Sequence, residues 1–94
     1  MIEYLYDAIR ATAGEDIVIT AEITENDGSY IREACQLMLY DNEDLITTVD
    51  GQIIDDIWYF TIPAKATTGL RGRYFYCISH YSSSIAFKQP IYLE

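Results

Sequence analysis

The chain has 94 residues, half of them hydrophobic and 22% charged, which suits one globular domain and is too apolar for a disordered segment. Fifteen acidic against six basic residues give a net charge of −9, a field that repels phosphate backbones and anionic lipid, so neither nucleic acid nor a membrane surface is an expected partner. The opening run MIEYLYDAIR lacks the basic and apolar regions of a signal peptide, and no stretch approaches the roughly 18 consecutive apolar residues of a membrane helix; synthesis in the cytosol without a leader is the expectation.

Hydrophobic periodicity is two along most of the chain. A first strand is predicted around residues 4–9. In residues 16–24, Ile17, Ile19, Ala21 and Ile23 alternate with Val18, Thr20, Glu22 and Thr24, as in a half-buried antiparallel strand, and Glu25-Asn26-Asp27-Gly28 is turn chemistry. Residues 33–40 repeat the pattern with Cys35, Leu37 and Leu39 inward and Gln36, Met38 and Tyr40 outward. Asp41-Asn42-Glu43-Asp44 turns the chain into a short strand, residues 45–49, which Asp50-Gly51 closes as a hairpin dipeptide. Residues 57–62 place Trp58, Phe60 and Ile62 on one face and Tyr59 and Thr61 on the other, and Pro63 ends them. Whether residues 52–54 form a separate strand, with Asp55-Asp56 as its turn, stays open.

Residues 64–70 are small and polar, and Thr67-Thr68-Gly69-Leu70-Arg71-Gly72 reads as a connection between sheets. Residues 72–78 are the strongest strand, with Tyr74, Tyr76 and Ile78 inward. Ser82-Ser83-Ser84 is the next turn, and residues 85–93 form a last strand in which Ile85, Phe87, Ile91 and Leu93 share a face. Pro90 cannot donate a ladder hydrogen bond, so that strand is expected at an edge or broken there. No segment carries a sustained helical period. Strands every 8 to 12 residues predict an all-β fold, an immunoglobulin-like β-sandwich of about seven antiparallel strands in a single domain spanning residues 1–94, with a small partly open barrel as the alternative. Leu70, Gly72 and Tyr74 match a tyrosine corner, in which the hydroxyl bonds back to the preceding connection.

Chemistry is sparse. His80 is the one histidine, and Cys77, three residues away on the same strand, falls on the opposite face, so the two make no nucleophile and base pair. The acidic runs read as solvated turns, and a domain this small has little room for two carboxylates across a cleft. Glu25-Asn26-Asp27-Gly28, Asp41-Asn42-Glu43-Asp44 and Asp50-Gly51 offer oxygen ligands, but none has the spacing of the twelve-residue calcium loop. No catalytic residue, metal ligand or cofactor is assigned. The two cysteines have opposite parity, Cys35 inward and Cys77 outward, which predicts free thiols, a core-sized cost for Cys35→Ala and a smaller one for Cys77→Ser. Nine tyrosines are more informative. Parity sets Met38 and Tyr40 on the outer face of one strand, Phe75 and Tyr81 on another and Tyr92 on a third. Met38, Tyr40, Phe75 and Tyr92 are therefore the candidate interaction surface.

Residues 11–25 (ATAGEDIVITAEITE), the Asp27-Gly28 turn, residues 58–76 (WYFTIPAKATTGLRGRYFY) and residues 87–93 (FKQPIYL) resemble small proteins encoded in bacteriophage and prophage structural gene regions. They are similar in layout to the immunoglobulin-like N-terminal domain of phage upper baseplate proteins. The resemblance implies a non-enzymatic structural or assembly module of a tail or baseplate, located in the virion, whose partners are other virion proteins or further copies of itself. The alternative is a carbohydrate or cell-surface binding module using Trp58, Tyr30 or Tyr81, and a small hydrolase is a third reading.

Overall fold

The alternation of β-branched and aromatic residues with polar ones produces strands along most of the chain. The computed structural model describes residues 2–5, 8–25, 27–81 and 83–94, with only the backbone for residues 2–5, 8 and 83–87. Among these, nine strands run in order: β1 (Ile2–Leu5), β2 (Ala8–Ala11), β3 (Ile17–Ala21), β4 (Cys35–Asp41), β5 (Asp44–Asp50), β6 (Gln52–Ile54), β7 (Ile57–Ile62), β8 (Gly72–His80) and β9 (Ser83–Leu93). A single helical turn, α1 (Ala64–Thr67), joins β7 to β8. One sheet has the order β1-β2-β9-β8-β4-β5 and the other β3-β7-β6. The fold is all-β with two sheets. The paired strands are antiparallel except that β2 runs parallel to β9, Ile9 opposite Ile91 and Ala11 opposite Leu93.

Both sheets feed one core. Ile9, Leu37, Leu39, Ile78, Ile91 and Leu93 from the larger sheet meet Ile17, Ile19, Trp58, Phe60 and Ile62 from the smaller. Of the inward positions read from the sequence, Ile17 and Ile19 on β3, those on β4 and β7, and Tyr74 and Ile78 on β8 are buried, while Ala21 and Tyr76 are half-buried against the core. The side chains of Ile85 and Phe87 lie outside the described residues.

The connection after β7 is fixed by polar contacts. Asp16 Oδ1 accepts from Ala64 N (2.8 Å), and Gly14 N donates to Oγ1 of the fully buried Thr67 (3.0 Å), so the β2–β3 turn and α1 hold each other. Beyond it, Tyr74 Oη accepts from Arg71 N (3.3 Å) and donates to Arg71 O (3.4 Å), tying β8 back to its own approach as the Leu70, Gly72, Tyr74 spacing predicts. Gly72 sits at φ +108°, which a side chain would strain.

Several expectations are corrected. Asp50-Gly51 closes no hairpin: β5 lies in the larger sheet and β6 in the smaller, and the chain changes sheet at Gly51. A Cβ there would stand 2.6 Å from atoms of the Phe60 and Trp58 rings, so glycine is required by space and not by φ. The tight hairpins are instead Asp41 to Asp44, with Asn42 at φ +54°, and Asp55-Asp56, both left-handed, which makes β6 a strand of its own. β9 is an internal strand. Because β2 pairs with it only over residues 91–93, Pro90 lies just before the point where β9 acquires its second neighbour, where a missing donor costs no ladder bond on that side. Cys77 has the outward parity expected, opposite Met38, yet is only 8% exposed; the β8–β9 register shifts between Tyr76 and Ile78, and Cys77, Ile78 and Ser79 are buried in succession on both faces. A cheap Cys77→Ser replacement is therefore no longer expected.

Gly51→Ala should destabilise by about 1–3 kcal/mol through overpacking against the two rings. Tyr74→Phe should cost about 1 kcal/mol, the size of one partly buried hydrogen bond. Urea denaturation midpoints check both, and an unchanged midpoint for Tyr74→Phe would remove the corner as a stabilising feature.

Candidate functional site

The outer face of the larger sheet is built by register. On β8 and β9, Arg73 lies opposite Tyr92 and Phe75 opposite Pro90; on β4 and β8, Tyr40 lies opposite Phe75 and Met38 opposite Cys77; on β2 and β9, Arg10 lies opposite Tyr92. The row Pro90, Phe75, Tyr40 is extended by Leu45 of β5, opposite Tyr40 and 54% exposed. Met38, Tyr40 and Phe75 are thus direct neighbours, and Tyr92, 37% exposed, stands one row away between two arginines. All four predicted surface residues share one face.

Two cations cover part of it. The Arg73 guanidinium lies 4.9 Å from the Phe75 ring centroid, and Lys88 Nζ 4.9 Å from that of Tyr40. Lys88 also donates to Asn42 O (3.0 Å) and pairs with Glu43 (3.4 Å), clamping the β4–β5 hairpin. Arg10 pairs with Glu94 at 3.3 Å. Tyr40 Oη donates to Met38 Sδ (3.7 Å), and the rings and Met38 are half-buried. Three of the six basic residues, Arg10, Arg73 and Lys88, gather here on a strongly acidic chain. Arg73 and Pro90 were readable from the parity of Phe75 and Tyr92. Leu45 was not, because the β4–β5 register shifts between Leu39 and Tyr40.

The loop end of the molecule holds the other polar cluster. Trp58, 3% exposed, stacks near Phe60 (6.1 Å) and donates its indole N–H to Ile31 O (2.7 Å), so it is a core residue and unavailable to hold a sugar. Tyr81 leaves β8 at φ +55° and does not join the outer face; its hydroxyl donates to Glu33 (3.0 Å), and that carboxylate pushes the phenol pKa up. A cavity of about 250 Å³ is lined by Glu25, Tyr30, Ile31, Arg32, Glu33 and His80. Arg32 is held by Asp56 (2.9 Å), and His80 Nε2 is buried without a hydrogen-bond partner.

His80 is the cross-strand partner of Cys35, a pairing that sequence spacing missed. Burial pushes the thiol pKa of Cys35 up, and its Sγ faces Glu33 O at 3.9 Å, the opposite of the conditions that activate a nucleophile. Burial also raises Cys77, with Lys88 pulling it partly back. Both thiols are free. Among the described residues no group of three or more His, Cys, Asp or Glu side chains is placed to hold a metal ion, and no helix is long and apolar enough to cross a membrane. Comparisons with protein families, curated proteins and solved structures found no match.

The native protein should react slowly with a thiol reagent at pH 8 and release two sulfhydryls on addition of urea. Because the folded thiol pKa values are raised, their stabilising effect is complete below the ordinary thiol pKa of 9.0 and is lost as pH rises through the folded values. The thermal midpoint should therefore fall in that alkaline window, and less in Cys35→Ala than in the parent at matched starting stability.

Proposed function

We propose that this chain is a non-enzymatic assembly module of immunoglobulin-like build that works by protein–protein contact through the outer face of its larger sheet, in a phage or prophage tail or baseplate. The observation that carries the contact surface is the placement of Met38, Tyr40, Phe75 and Tyr92 on one face, in adjoining rows, with Leu45 and Pro90 extending the apolar row. The immunoglobulin-like reading is supported by strand order: β9, β8, β4 and β5 in one sheet against β3, β7 and β6 in the other follows the variable-type arrangement, and the Tyr74 corner sits at the expected strand. The virion setting rests on the resemblance of residues 11–25, 58–76 and 87–93 to phage structural proteins. Buried, pKa-raised thiols support a non-catalytic role.

A second reading, carbohydrate binding, is favoured by one feature. Tyr30 and Tyr81 stand exposed at the loop end, Tyr30 lining the 250 Å³ cavity with three charged side chains and His80. Glycan-array binding by the purified chain would support it.

Assembly is tested by sedimentation velocity on the isolated chain and on mixtures with virion proteins encoded beside it. Replacing Tyr40 and Phe75 together by Ser should abolish the complex and lower stability by only about 1–2 kcal/mol, since both rings are half-buried. If the partner is a second copy, raised ionic strength should strengthen association, because −9 meets −9. A double mutant that unfolds, or one that folds and still assembles, would count against this face.

A further inference from the structure

The two sheets end in four edge strands, β1 and β5 on the larger and β3 and β6 on the smaller. A free edge presents alternate unpaired N–H and C=O groups, and proteins guard such edges with short length, charge, proline or a bulge. β6 has three residues. β5 starts and ends on Asp44 and Asp50, and its register against β4 shifts. β1 carries Glu3 within its four residues. β3 has none of these guards. Its run Ile17-Val18-Ile19-Thr20-Ala21 is free of charge, proline and glycine, and pairs with β7 over five unshifted residue pairs. Among the described residues no strand lies on its other side. Its outer face is uncharged too: Val18, 37% exposed, lies opposite Thr61, and Thr20 opposite Tyr59, which in turn faces Gln52.

We propose that the free edge of β3 receives an extended segment of a partner protein as an added strand, and that this segment carries basic residues at its ends. Main-chain hydrogen bonds to β3 would hold it, with alternate side chains beside Val18 and Thr20. The charge requirement comes from what brackets the edge. Glu15 and Asp16 precede β3 and Glu22 and Glu25 follow it, all exposed, and the −9 net charge steers a basic segment toward them. A second copy is the wrong occupant, because antiparallel pairing of two β3 strands about Ile19 sets Asp16 of each against Glu22 of the other, and like charges directly opposite destabilise a strand pair. This edge belongs to the smaller sheet and is independent of the outer face assigned above.

The test uses the whole ¹⁵N-labelled chain and two synthetic probes, acetyl-KTVTVTK-amide and its glutamate-ended counterpart acetyl-ETVTVTE-amide. The lysine-ended peptide should shift the amides of Val18 to Ala21, slow their hydrogen exchange, and bind at least ~10-fold more tightly than the glutamate-ended one at low salt, the difference shrinking as salt screens it. Val18→Lys, on an exposed position, should keep the thermal midpoint within a few degrees and abolish binding, whereas the Tyr40 and Phe75 double serine mutant should bind the peptide unchanged. Shifts confined to other acidic loops, equal binding of the two peptides, or full binding by a folded Val18→Lys protein would overturn the proposal. So would slow exchange at the β3 edge in the free protein: concentration-dependent slowing identifies a second copy as occupant, and concentration-independent slowing identifies the chain's own segment.

Discussion

The indole of Trp58 is the contact on which the arrangement of both sheets turns. A buried indole N–H must find an acceptor, and here it donates to Ile31 O at 2.7 Å, pinning the long β3–β4 connection onto the smaller sheet. Its ring face, with that of Phe60, leaves no space for a side chain at residue 51, and it is there that the chain crosses from β5 in one sheet to β6 in the other. One residue therefore sets the position of a loop, the crossing point between the sheets and a large share of the core.

Faces were legible in the sequence because strand parity is a local property. Leu37 and Leu39 inward, Met38 and Tyr40 outward, and Tyr74 against Phe75 all follow from the period of two, and the structure keeps those assignments. Partners and coverage are not local. Asp50-Gly51 carries the composition of a hairpin, yet two rings from residues 58 and 60 decide its conformation. Cys77 shows the limit most plainly: parity gave its face correctly, but beside a register shift against β9 a position that alternation alone would leave open is buried. The parallel pairing of β2 with β9 and the bare edge of β3 depend on strand order, which no window of a few residues contains.

The candidate surface has an internal logic of its own. Unshielded aromatic rings on an outward sheet face would favour indiscriminate association, and Arg73 and Lys88 stand over Phe75 and Tyr40 to replace part of that exposed apolar area with charge. Each such contact is worth about 0.5–1 kcal/mol at an exposed site, little enough for a partner to displace or incorporate. Lys88 is the tighter of the two, held also by Asn42 O and Glu43, whereas Arg73 rests on Phe75 beside the more exposed Tyr92. The more readily opened part of the face is therefore the cross-strand pair of Arg73 and Tyr92.

Charge separates the two proposed contact regions as clearly as topology does. The outer face of the larger sheet gathers three of the six cations, while the flanks of β3 carry Glu15, Asp16, Glu22 and Glu25. Two of those cations are already paired, Arg10 with Glu94 and Lys88 with Glu43, so the outer face is locally balanced in charge where the flanks of β3 are acidic on both sides, and the two regions attract a charged partner to different degrees. If both proposed contacts form, the domain sits between two neighbours, one on the aromatic face and one along the strand edge. A closed two-fold dimer through the β3 edge is the arrangement its charges oppose most directly, because antiparallel pairing about Ile19 sets Asp16 of each copy against Glu22 of the other.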